Sequence, residues 1–252
     1  MSPPDPTPPR RPGKPHDGSA RASAIGFGVL FFLVALNWAA IHFGWIAVPP
    51  NTIPWEPPKL DARPGLFAHL QMQHLLHDRQ ACLSALDHAS DLAYTPLADV
   101  SPSEGCGFTD VVRATHTPIA FDTAPVATCA LTAALYWWQR DLQSIAQREL
   151  HTSIRRIDQE GTYACRNVDS ALMGPRSEHA TANAIDVEAF ETADGRRITV
   201  ARDWGKPSDE GRFLRAAHES ACGVFGEVLG PDYDKFHAGH FHLDEAAWLI
   251  CR

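Results

Sequence analysis

The sequence holds no Cys-x-x-Cys pair, no run of lysine or arginine, and not one charged residue over positions 24–48. Isolated cysteines exclude a thioredoxin-like redox centre and a thiolate metal site. Without a basic stripe nothing can track a phosphate backbone, and a formal charge of −8 over 252 residues points the same way, so no nucleic acid is expected as a partner. No internal repeat is visible. The length allows one substantial domain with a real core, plus extensions.

The uncharged stretch runs through Ile25, Phe31, Leu33, Leu36, Trp38, Trp45 and Ile46. It is long enough for a bilayer-spanning helix, which needs roughly 20 apolar residues. A cleaved signal peptide is the alternative, but its apolar core is usually about 7–15 residues and ends at a small-residue cleavage site that is not evident here. An uncleaved transmembrane anchor over 24–48 is therefore expected. Arg10, Arg11, Lys14 and Arg21 precede it against Asp5 and Asp17, so the positive-inside rule holds the N-terminus in the cytoplasm and exports everything after Val48. Seven prolines among the first fifteen residues make 1–23 a disordered cytoplasmic tail. A second proline-rich stretch, 49–65, reads as a short semi-rigid linker, and the folded domain is expected over 66–252.

Cys82, Cys106, Cys129, Cys165, Cys222 and Cys251 all follow the span. An even number in an oxidising compartment predicts three disulfides. Sequence alone does not choose among the possible pairings; closing moderate loops would favour Cys82–Cys106, Cys129–Cys165 and Cys222–Cys251.

Apolar residues recur at helical spacing over 66–92, with His69, His74 and His77 interspersed. These three read as a hydrated helix face rather than a second metal site. The pattern is clearest over 129–150, where Leu131, Leu135, Trp138 and Leu142 form one stripe. A further helix is predicted over 208–228, opened by Ser208 as N-cap with Asp209 and Glu210 at its positive end. Alternation over 153–157 and 162–166 predicts short strands, 184–190 and 196–201 flank Asp194-Gly195 as a hairpin, and 241–243 is a further strand. The result is an α+β domain in which an antiparallel sheet carries the site and helices pack on one face.

Three histidines fall within six residues at His237, His240 and His242, and His179 stands seven residues before Asp186. Neutral imidazoles with a carboxylate are the ligands of a catalytic zinc, which keeps a fourth position open for water. His240 and His242 share one face of a strand, because side chains two apart point the same way, while Phe241 faces the core. Asp244 either orients a ligand histidine or serves as a surface ion-pair partner.

From 66 to 252, and most strongly from Tyr163 onward, the chain resembles the bacterial extensin-like C-terminal domain family, within the zinc peptidases that include D-alanyl-D-alanine carboxypeptidases and MepA-type murein endopeptidases. That group carries Ser-x-His-x-x-Gly-x-Ala-x-Asp, matched here at Ser177, His179, Ala184 and Asp186 but with Ala182 in the glycine's place. If that place needs φ > 0, the alanine costs about 1 kcal/mol. The resemblance implies the hedgehog/DD-peptidase-like fold and a zinc held by His179, Asp186 and His242, with His237 and His240 beside it and one of them taking a proton from water. Other members use the glutamate of Glu-x-x-His as base, and no glutamate stands three residues before His240 or His242. His237 is accordingly the candidate base. Arg166, in Gly161-Thr-Tyr-Ala-Cys-Arg166, is similar in place to an arginine that faces the scissile carbonyl, although a strand-end ion pair would also account for it.

The expected protein is a single-pass inner-membrane zinc hydrolase with a periplasmic domain acting on peptidoglycan peptides. The alternative is a non-catalytic envelope binding or structural domain on the same fold. The topology is directly testable: an export-dependent reporter fused after Arg252 should be active, and activity of a cytoplasm-only reporter there would refute both the orientation and the reason for disulfides.

Overall fold

The computed structural model of the chain describes residues 18–252. The expected tail therefore lies outside the described residues over 1–17. Contacts divide the chain into two units, Met1–Pro49 and Pro50–Arg252. The first contains α1 (Gly18–His42), whose segment Ile25–His42 has a mean hydropathy of 1.9 and is long and apolar enough to cross a membrane. Residues 18–23 of the expected tail are thus helical. The helix ends six residues before the predicted limit, because Gly44 takes φ 70°, the left-handed conformation that closes helices.

In the second unit the helical pattern over 66–92 is broken into α2 (Ala68–His77) and α3 (Arg79–Asp87). Asp78 between them is extended and its carboxylate accepts from Ala81 N, so it caps the second helix instead of continuing the first. The strands β1 (Ala93–Pro96), β2 (Val100–Ser103), β3 (Cys106–Phe108), β4 (Val111–His116), β5 (Ala120–Phe121) and β6 (Val126–Thr128) follow. Next come α4 (Cys129–Glu149), β7 (Ile154–Gly161), β8 (Ala184–Thr192), β9 (Arg197–Thr199), α5 (Val200–Asp203), α6 (Asp209–Ala221), β10 (Glu227–Leu229), β11 (Phe241–Asp244) and β12 (Ile250–Cys251). The main sheet runs β12-β10-β11-β8-β7-β5, with β9 sharing β8; β1-β4-β6 and β2-β3 form two smaller sheets.

The fold is α+β with helices packed against sheets, but the main sheet is not purely antiparallel as predicted: β5 pairs β7 and β12 pairs β10 in parallel. Both departures are two-residue edge strands, which returning loops supply without a hairpin. Two other expectations are corrected. Residues 162–166 form no strand, and α6 stops at Ala221, so that Glu227–Leu229 becomes β10.

Helix α4 fills the middle of the unit. Every residue from Cys129 to Gln139 is buried, because α2, α3 and β4 contact it as well as α6 and β7. A helix apolar on all sides belongs inside a core. Gln139 Oε1 accepts from Ile119 N, although its buried Nε2 has no partner, and the Trp138 indole donates to Ala217 O. The proline-rich stretch is not a free linker over its whole length, since from Pro50 onward it is knitted onto these helices. Leu60 is buried, Trp137 donates to the Leu60 and Ala62 carbonyls, and Asn51 brackets Lys59 and Arg63.

Three disulfides form, Cys82–Cys129, Cys106–Cys165 and Cys222–Cys251. Only the last matches the pairing by moderate loops. Loop closure grows slowly costlier with length, so packing decides: Cys82 lies on α3 against the first residue of α4, which leaves Cys106 on β3 for Cys165. Peptide mapping without reduction should recover these three links, and removing Cys106–Cys165 by a double alanine change should cost about 2–4 kcal/mol in urea unfolding.

Candidate metal centre

The site begins at a tight turn. The Ser177 hydroxyl accepts from His179 N at 3.3 Å and opens a 3-10 turn, Glu178–Thr181, that ends at Ala182 with φ 57° and ψ 30°. The place where the motif has glycine does adopt the left-handed conformation, at about 1–2 kcal/mol for an alanine. The chain then enters β8, where Asp186 pairs directly across the sheet with His242 on β11. The turn brings His179 onto the same point.

His179 Nε2 lies 3.1 Å from Asp186 Oδ2 and 3.2 Å from His242 Nδ1, and His242 Nδ1 lies 2.9 Å from Asp186 Oδ1. All three side chains are buried, and their atoms could hold a metal ion. The far side of each ring is also occupied. His179 Nδ1 faces the Thr162 carbonyl at 3.3 Å, and His242 Nε2 faces Asp244 Oδ2 at 3.1 Å. In the tautomers that donate outward to these acceptors, both inner nitrogens carry lone pairs.

The electrostatics are uneven. Burial pushes the His242 ring down, but hydrogen bonds and charge from Asp186 and Asp244 outweigh it and raise its pKa to about 10. Burial acts to raise Asp186, yet the two imidazoles hold its carboxyl well below the usual carboxylate range. Burial and the neighbouring Asp244 push Glu227 up to about 7, and burial raises Glu178. Glu227, His242 and Asp244 form a second group that could hold an ion, but it shares His242 with the first. A third group, His218 with Cys222 and Cys251, has both sulfurs in a disulfide and offers no thiolate.

A cleft of about 400 Å³ opens beside the triad, lined by Arg166, His237, His240, His242, Asp244 and Glu227 among others. His240 Nε2 is 3.5 Å from Asp186 Oδ1 and its Nδ1 3.6 Å from Glu160 Oε2. The His237 ring centroid is 5.8 Å from that of His242. An Arg166 guanidinium nitrogen is 3.9 Å from Asp186 Oδ2. Thus all the residues singled out from sequence meet here, Asp244 included. The helical histidines do not: His74 and His77 are exposed, whereas His69 is half-buried with Nδ1 shielded, so it is not part of a hydrated face. Sequence reasoning missed Glu178, Glu227 and Glu160. Glu178 stood inside the motif, while Glu227 arrives only through its β10 pairing with Asp244, for which the sequence has no local signal.

An α+β domain with a buried His-Asp-His cluster at the side of a cleft is a candidate metal-binding domain. Residues 80–252 match the family described as Extensin-like protein C-terminus, and the chain belongs to that family. No curated protein and no solved structure matches it.

The charge pattern has a measurable sign. The pKa of His242 is raised from 6.5 to about 10, so its stabilising charge is fully present below pH 6.5 and is lost as pH rises through 10. In chelator-treated protein, His242→Ala should cost on the order of 3–5 kcal/mol at pH 7, by taking the cationic partner from the buried Asp244 and weakening the pairing of Asp186, and far less above pH 10. Denaturant unfolding at both pH values checks this; a pH-independent difference would refute it.

Proposed function

We propose that this chain is a membrane-anchored, zinc-dependent hydrolase of the periplasm that cleaves amide bonds in peptidoglycan peptides. The observation that carries the reading is the donor geometry: His179 Nε2, His242 Nδ1 and the Asp186 carboxylate converge at 2.9–3.2 Å, with an acceptor behind each ring. The donor set fits the ion. Ligands about 2.0–2.1 Å from a tetrahedral zinc stand roughly 3.3 Å apart, and separations of 2.9–3.2 Å are close to that. His179, Asp186 and His242 would hold the zinc, and Asp244 would orient His242 from behind. When bound, the ion supplies Lewis acidity, which acidifies water and polarises an amide carbonyl.

The remaining steps belong to side chains. Arg166 reaches the cleft beside Asp186 and stabilises negative charge developing on the carbonyl oxygen. Burial lowers the pKa of His240 against the pull of Asp186 and Glu160, and each of its nitrogens stands beside one of those carboxylates. His237, which lines the cleft, takes the water proton. The apolar helix ending at His42 supports the anchor, the charges before it the orientation, and family membership with the motif the substrate class.

A second reading is a binding domain that keeps the fold without turnover. It is favoured by Gly239, which occupies the place three residues before His242 where Glu-x-x-His would have its base. Metal analysis and a muropeptide digest separate the two. One zinc per chain is expected, lost in His242→Ala and kept in His237→Ala, with turnover slowed about 10²–10⁴-fold in His237→Ala and about 10²–10³-fold in Arg166→Ala. Zinc-loaded protein that pulls down peptidoglycan but releases no fragment would leave only the binding reading.

A further inference from the structure

Nothing in the sequence pattern singles out Asp234. It follows β10 in the loop that also carries His237 and His240, and among the described residues it is the carboxylate hydrogen-bonded to the His237 ring. Its Oδ1 accepts three times: from Phe236 N at 2.8 Å, from His237 N at 3.2 Å and from His237 Nδ1 at 2.8 Å. The two backbone bonds make a local turn in which the aspartate is clamped to the backbone of the residue whose side chain it holds. The imidazole is therefore fixed to its own loop, with little rotational freedom left.

This arrangement also decides which nitrogen carries the proton. A carboxylate only accepts, so Nδ1 must donate to it, and the Nε2 of the neutral ring is then a lone pair. His237 Nε2 has no hydrogen-bond partner among the described residues, and the ring lines the cleft. Tyr233 and His240 pack against the ring edge to face, with centroids at 5.5 Å. By contrast, each nitrogen of His240 stands near a carboxylate, Asp186 at 3.5 Å and Glu160 at 3.6 Å, so no single tautomer of that ring is fixed.

We infer that Asp234 is a positioning residue: it holds His237 as the Nδ1–H tautomer, with the Nε2 lone pair open to the cleft as the proton acceptor of the reaction. The inference rests on the hydrolase reading for its chemistry, but not for its geometry. In the step, Nε2 takes a proton from the attacking water as the oxygen–carbon bond forms and the carbonyl π pair moves onto oxygen. The ring becomes an imidazolium, whose charge Asp234 stabilises through Nδ1–H. As the oxygen pair returns and the carbon–nitrogen bond breaks, Nε2–H delivers the same proton to the departing amine, and the ring is restored.

The test uses the full-length, zinc-loaded chain in detergent, labelled with ¹⁵N-histidine, with His237 assigned by its loss in His237→Gln. Asp234→Ala removes the one oxygen that meets Nδ1, while Asp234→Asn, with its amide oxygen in the Oδ1 place, keeps the three bonds and loses only the negative charge. Expected are an Nδ1–H signature in the wild type and in Asp234→Asn, its loss in Asp234→Ala, and a kcat about 10–100-fold lower in Asp234→Ala with KM and zinc content unchanged. An Nε2–H signature in the wild type, or an Asp234→Ala protein with wild-type tautomer and kcat, would overturn the inference. If the tautomer behaves as expected but the zinc-loaded wild type releases no muropeptide, the hydrolase reading fails while the positioning role of Asp234 stands.

Discussion

The buried pair between Asp186 on β8 and His242 on β11 is the constraint around which the site is built. Because the two residues are directly opposed across the sheet, their contact is also the register of the two strands. A one-residue slip of β11 would turn His242 to the other face and send Phe241 out of the core. The pair is worth more than an exposed ion pair, since breaking it leaves a buried charge without compensation. His179 joins it only because the turn at Ala182 accepts left-handed backbone, so a strained alanine supports the third member of the triad.

Around that pair the domain is rigid on one side and open on the other. Behind β8 lies α4, with Trp138 packed edge-on against Phe190 of β8 and Phe225. Cys82–Cys129 ties α3 to the start of α4, and the stretch from Pro50 is fastened to the same helix through Leu60 and Trp137. Cys106–Cys165 holds the chain that leads to Arg166, and Cys222–Cys251 holds the C-terminal strand beside β10. The cleft side instead exposes apolar residues, with Leu172, Met173 and Trp248 among the most exposed of the unit. Rigid support on one face with an accessible mouth on the other is what a preorganised site requires.

The charges around the triad explain why so many acids gather at one place. A single raised imidazole, His242, faces Asp186 and Asp244, while Glu178 and Glu227 nearby are pushed toward their neutral forms by burial. Such a cluster favours a cation, and a proton on His242 serves as one. A divalent ion would displace that proton, so metal affinity must fall as pH falls.

Much of this was legible in the chain before its structure. Helix α4, the Ser208 cap, the hairpin at Asp194-Gly195 and the strand at Phe241 all follow from periods of 3.6 and 2 with local capping residues, which act within a few positions. The grouping of His179, Asp186 and His242 was expected from the resemblance of two short motifs to a peptidase group; that Asp186 and His242, 56 residues apart, stand opposite each other is decided by the β8–β11 register. What the sequence could not contain were the partners that come from far along the chain. Two of the three disulfides, the parallel edge strands, the arrival of Glu227 beside Asp244 and the seating of residues 50–65 on α4 are set by which surfaces pack, and packing depends on the whole core at once. The hold of Asp234 on His237 is a different case: the two are three residues apart, but only the loop conformation, decided by the elements at its ends, puts carboxylate and ring in contact.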